Sequence, residues 1–247
     1  MKKLILLLLI EVLFSCSTKI TPPSAQQIID KSIQVAGGHF YENSEVTFVF
    51  RDKKYVSIQN ENEKTYKRIT FLDSLKVTDI KTPNGFERYL NDNLVKISDS
   101  LALRYSNSIN SVHYFSRLPF GLNDRAVNKK FLGETEIAKK KYYKVRVTFD
   151  QEEGGDDFED VYLYWFNKDS FKPDYLAYEF HTDGGGMRFR KAYNERFVNG
   201  IRFVDYENYK GVPTAFDFKK IDSVYDSGGL ELLSKIELDK IIVRIAD

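Results

Sequence analysis

DFEDVYLYWFNKDSFKPDYLAYEFHTDGGGMRFRKAYNERF, residues 157–197, reads as three strands joined by two turns. Val161, Leu163 and Trp165 alternate with Tyr162, Tyr164 and Phe166. With a side-chain period of two, bulky groups therefore leave both faces of this strand, which needs cover on each side. Asp169, Ser170 and Pro173 supply turn chemistry before the next run. A turn centred near Ser170 sets Trp165 opposite Tyr175, Leu163 opposite Ala177 and Val161 opposite Glu179. A slip of one residue would exchange the faces. After Gly184, Gly185 and Gly186, the third run carries Met187, Phe189, Tyr193 and Phe197 on one face against Arg188, Arg190 and Arg196 on the other.

Working outward, Lys141 to Asp150 places Tyr143, Val145, Val147 and Phe149 on one face and Lys144, Arg146 and Thr148 on the other, the pattern of a half-solvated strand. Matching apolar faces pairs Val145 with Leu163 and Val147 with Val161. Asn199-Gly200 turns the chain into IRFVDYENY. From Glu45 onward SEVTFVF, KYVSIQN, KTYKRITF, LKVTDI, FERYL and LVKI succeed one another with turn residues between, and KKFLGETEI restarts the series later. ELLSKIELDKIIVRI closes the chain as a final strand, while Thr214 to Tyr225 is ambiguous. Two segments change period. Ser24-Ala25-Gln26-Gln27 has capping-box spacing, and Ala25, Ile28, Ile29, Ile33 and Ala36 follow at helical intervals until Gly37-Gly38. A second helix starts at Ser98 or Asp99, with Leu101, Tyr105, Ile109, Val112 and Phe115 as its stripe until Leu118-Pro119-Phe120-Gly121. The expectation is a mainly β (α+β) chain whose residues 24–247 form one domain.

Across 247 residues, 37 Lys and Arg balance 36 Asp and Glu. No basic patch marks a nucleic-acid partner, and the mixed charge gives no electrostatic reason to bind an anionic membrane. Attachment is expected from the amino terminus. Lys2-Lys3, an apolar run from Leu4 to Phe14, and Leu13-Phe14-Ser15-Cys16 resemble a bacterial lipoprotein signal with its lipobox. The resemblance implies that 1–15 are a signal peptide, that Cys16 is acylated and anchors the membrane, and that 16–23 are a tether. The run is too short to span a bilayer. Cys16 is the only cysteine, which excludes an intrachain disulfide and any CxxC site.

A helix ending AGG before an antiparallel meander, then a helix running into LPF, then FLGE, YKVRVTF, DVYLYW, LAY, GGGMRFR and GIRFVDYENY, resemble the lipoproteins grouped with the LolA and LolB carriers. The resemblance covers nearly all of residues 24–245. It implies a strongly curved antiparallel sheet, an unclosed half-barrel, with two or three helices over a concave face whose hollow takes acyl chains. It also implies an envelope protein, monomeric, lipid-anchored at the outer membrane and facing the periplasm. Its partner would be a lipid or an acylated protein, with no cofactor.

The candidate ligand residues are Tyr162, Trp165, Tyr178, Phe189, Arg190 and Tyr206, either a packed core or the lining of an apolar pocket. Asp157, Asp160, His181 and Asp183 fall at one end of the hairpins and offer a second reading, a divalent-cation or hydrolytic site, although their spacing matches no EF-hand or His-rich metal pattern; a structural component of an envelope complex is the third reading. The glycine run lacks the strand-to-helix setting and the Lys-Ser/Thr of a phosphate loop. His39 and His113 have no partner visible in sequence. No nucleophile motif appears, and a catalytic role is not expected.

Overall fold

The computed structural model describes residues 22–60, 64–152, 158–181, 184–211 and 216–245. Ser24 and Gln27 exchange the two reciprocal bonds of a capping box, each side chain accepting the other's amide. Helix α1 then runs Ala25–Val35 and buries Ala25, Ile28 and Ile29. Gly37 follows at φ 92°, where a Cβ would sit 2.0 Å from the Gly200 carbonyl oxygen. Only glycine meets both demands. That approach brings the Asn199-Gly200 turn against the helix end, and the Arg202 amide donates to the Ala36 carbonyl at 3.0 Å. A short helix α2, Gly38–Glu42, begins at the second of the two glycines, where the pattern indicates only a stop.

The strands are β1 Ser44–Phe50, β2 Lys53–Gln59, β3 Lys64–Leu72, β4 Leu75–Thr82, β5 Gly85–Leu90 and β6 Asn93–Val95. Helix α3, Asp99–Ser116, intervenes before β7 Val127–Ile137, β8 Lys140–Phe149, β9 Val161–Asn167, β10 Pro173–Phe180, β11 Gly186–Val198 and β12 Ile201–Gly211. A 3-10 turn, Phe218–Lys220, leads into α4, Ile221–Asp226, then β13 Leu230–Ile236 and β14 Asp239–Ile245. The ambiguous stretch is thus helical from Phe218 onward.

The mainly β, antiparallel, unclosed architecture holds, but the strands form two ladders rather than one continuous sheet. Their orders are β14-β1-β2-β3-β4-β5-β6 and β13-β12-β11-β10-β9-β8-β7. The closing segment joins them, since β13 pairs with β12 and β14 pairs with β1. The buried Asp205 fixes this junction. Its carboxylate accepts the Leu238 amide at 2.9 Å and an Arg196 N–H at 2.9 Å, and Arg196 also donates to the Leu238 carbonyl. The far edges, β6 and β7, are the ends that α3 connects.

The second ladder is covered on both faces, as the aromatic pattern of β9 demands. On the inner face α1 lies against Tyr162, Tyr164 and Phe166, with Tyr114 of α3 beside them. On the outer face Leu163 and Trp165 pack under Phe218 and Ile221. The expected β9–β10 register is observed, with Trp165 opposite Tyr175 and Leu163 opposite Ala177. The β8–β9 expectation is corrected by one residue. Val145 lies opposite Tyr164, Val147 opposite Tyr162, and Lys144, not Tyr143, opposite Trp165. The face of β8 read as solvated therefore meets α4, where Lys144 is buried and donates to Asp222 at 2.8 Å.

Candidate functional site

Helix α3 bridges the open side of the two ladders and is tied down at several points from Tyr105 onward. Near its start, Arg88 lies 3.7 Å over the Tyr105 ring. The buried carboxylate of Asp79 accepts Arg68 at 2.7 and 3.1 Å and Arg88 at 2.6 and 3.0 Å. Arg68 also donates to Ser108 at 3.0 Å. One turn on, His113 enters a box of Phe48, Tyr55 and Tyr66, stacked on Tyr66 at 4.6 Å. Burial pushes its imidazole down to about 3, so it packs as a neutral aromatic ring at physiological pH. After the helix, Arg117 donates to the Tyr66 hydroxyl and to Asp124. The Tyr114 and Tyr164 hydroxyls share a short hydrogen bond that ties α3 to the second ladder.

The helix does not fill the space beneath it. On one flank a cavity of about 300 Å³ has a polar mouth of Lys64, Lys81 and Asp124. On the other a cavity of about 230 Å³ is walled by Phe50, Val112, Phe115, Val204, Ile236 and Leu238, with Arg190, Tyr206, Asn208 and Ser234 set into the wall. Apolar walls with a few convergent polar groups are the usual form of a small-molecule site. Two of those groups carry buried atoms without a hydrogen-bond partner among the described residues, Arg190 Nε and Asn208 Oδ1. The Asn208 amide nitrogen donates to Ser234 at 3.2 Å. Burial pushes the Tyr206 phenol up, keeping it a neutral hydroxyl.

The six expected ligand residues separate by face. Arg190 and Tyr206 line the cavity. Tyr178 stands behind Arg190 and accepts its Nη2–H at 3.0 Å, and Tyr162 stacks on Tyr178 at 5.4 Å. Trp165 and Phe189 are on the opposite, outer face. Both are fully buried there, with the indole N–H donating to Asp222 at 3.0 Å, and neither lines the hollow. Cavity residues that the sequence did not single out are Phe50, Val204, Asn208 and Ile236, on strands, and Leu238, in the link between β13 and β14.

Cys16, Asp157 and Asp183 lie outside the described residues. Asp160 is buried and His181 exposed, at the same end of the second ladder given the Val161–Glu179 pairing. Among the described residues no group of three or more His, Cys, Asp and Glu could hold a metal ion.

The family model for a family of unknown function (DUF6503) matches residues 2–238. A comparison with curated proteins finds no match. Among solved structures, a LolA superfamily protein from Nitrosomonas europaea is similar at TM-score 0.50 and 13% identity, covering 92% of this chain and 95% of that one. A DUF1329 family protein from Desulfovibrio piger gives TM-score 0.45 at 11% identity, covering 90% and 93%. At 13% identity the likeness to the LolA superfamily protein shows the fold alone, which is LolA-like.

Proposed function

Since this chain belongs to DUF6503, a family of unknown function, we propose from its geometry that it is a non-catalytic envelope lipoprotein that holds a lipid, an acyl chain or an acylated protein in the hollow under α3. The observation that carries this reading is the apolar-walled cavity of about 230 Å³ left between α3 and the strands β12 and β13. Protein interiors are otherwise packed to crystal-like density with few voids larger than a water. An apolar space kept open beside a bridging helix is consistent with a chain-shaped occupant. The likeness of fold to a LolA superfamily protein supports the same reading.

In this account Cys16 anchors the protein at the outer membrane, facing the periplasm, and several acyl chains on one residue hold it there stably. Intact mass should show acylation that Cys16→Ser abolishes; an unchanged acyl mass in the variant contradicts the anchor. The hollow is tested with a fluorescent fatty-acid probe on the full-length Cys16→Ser chain. Binding should saturate, and Val112→Phe, which pushes a ring into the cavity, should weaken it about tenfold or more while the fold persists. Equal probe affinity in both proteins contradicts the location.

A further inference from the structure

We propose that this hollow selects amphiphiles with an anionic oxygen head, a carboxylate or a phosphate, and that Arg190 receives that head. This rests on the lipid-binding reading above and specifies its ligand. The buried basic side chains among the described residues are Arg68, Arg117, Lys144, Arg190 and Arg202. Four of them face a carboxylate: Arg68 has Asp79 at 2.7 Å, Arg117 has Asp124 at 3.4 Å, Lys144 has Asp222 at 2.8 Å, and Arg202 has Glu195. Arg190 faces none among the described residues. Its guanidinium donates to the Tyr178 hydroxyl at 3.0 Å and lies 3.7 Å from the Phe115 ring and 5.2 Å from the Tyr178 ring. Its Nε–H has no acceptor among the described residues, although the residue is only 7% exposed. Aromatic faces offset only part of the cost of burying a guanidinium, and an anion is what such a site lacks.

The surroundings agree. Among the described residues the cavity lining includes no Asp or Glu, and its other charged member is Arg51. A guanidinium offers a planar fork that matches carboxylate and phosphate oxygens. The hollow is also polarised along its length by strand register. Arg190 lies opposite Asn208, which lies opposite Ser234, making one polar cross-strand row. The next inward-facing positions are Tyr206 and Ile236, paired with each other, followed by Val204 and Leu238. A head at the Arg190 row would lead its chain along Ile236, Val204 and Leu238 toward Phe50. The volume of about 230 Å³ lies below the roughly 300–1,000 Å³ of pockets for drug-sized ligands, so it suits one chain rather than several.

Calorimetric titration of the delipidated full-length Cys16→Ser chain with decanoate, decyl phosphate and decanol tests this. The wild-type pocket should bind the better of the two anions about ten- to a hundredfold more tightly than the alcohol, as a charge-assisted hydrogen bond in a buried site predicts. The tighter anion identifies the head as a carboxylate or a phosphate. Arg190→Met should erase the preference while changing decanol affinity less than about threefold. If that variant fails to fold, Arg190→Lys, which keeps the charge and loses the fork, should narrow the preference. Equal binding of anions and alcohol by wild type overturns the anionic selection and leaves the lipid reading standing. No binding of any of the three overturns both.

Discussion

Replacing Asp79 with alanine is expected to cost about 3 to 5 kcal/mol of stability, because it strands two guanidiniums that share one buried carboxylate. Asp79 is 1% exposed, Arg68 is 8% exposed, and among the described residues no second carboxylate bridges the pair. The pair's attraction in place only partly repays desolvation, so the loss on deletion reflects the abandoned charges more than the strength of the bridge. The urea midpoint should fall by about 1 to 2 M. Converting the whole node to apolar residues, Arg68→Met with Asp79→Leu and Arg88→Met, should recover most of the loss. A single Asp79→Ala variant within about 0.5 kcal/mol of wild type would mean the node is solvated and does not pin α3.

Trp165→Ala should cost a similar amount, about 3 to 5 kcal/mol, through lost burial and a residual cavity. The ring is fully buried against Phe189 and Lys144, and its N–H is one of the donors to Asp222. Because these contacts lie on the outer face, the affinity of the inner hollow for a lipid probe should stay within about twofold wherever the variant is folded. This separates Trp165 from the pocket: a variant that keeps its stability but loses the probe would place the ligand under α4 instead.

Both long helices, their ends and most of the strand series were legible because turn residues and period changes mark them locally, but the closing run read as one strand is two, β13 and β14, one in each ladder. Register was legible only where one neighbour fixed it. The short KDSF connection sets β9 against β10, and the pairing matches. Between β8 and β9 no such turn constrains the chain, and β9 is apolar on both faces, so matching hydrophobic faces could not choose between two alignments one residue apart. The choice is made by α4, whose Asp222 takes Lys144 and the Trp165 indole together. That segment lies in the ambiguous stretch. The same blindness divided the candidate site. Alternation assigned Arg190 to a charged face, yet that face is the inside of the hollow, while Phe189 of the apolar face turns outward under Tyr225, stacked at 4.4 Å. Further along β11 a bulge between Tyr193 and Arg196 resets the period and leaves Phe197 48% exposed, so it does not share the Phe189 face as the alternation suggests. Burial of a strand residue can be read from pattern, but which of two covered faces holds empty space depends on the helices laid over each.

The most direct test of the account is native mass spectrometry of the full-length Cys16→Ser chain purified from a bacterial envelope without detergent exchange, followed by solvent extraction. The account predicts a bound species of single-chain amphiphile mass, near one per protein, released by the solvent and depleted by Val112→Phe. A protein that arrives empty, and takes up no lipid when offered it, would contradict the account and leave the hollow under α3 an unfilled gap in a packed scaffold.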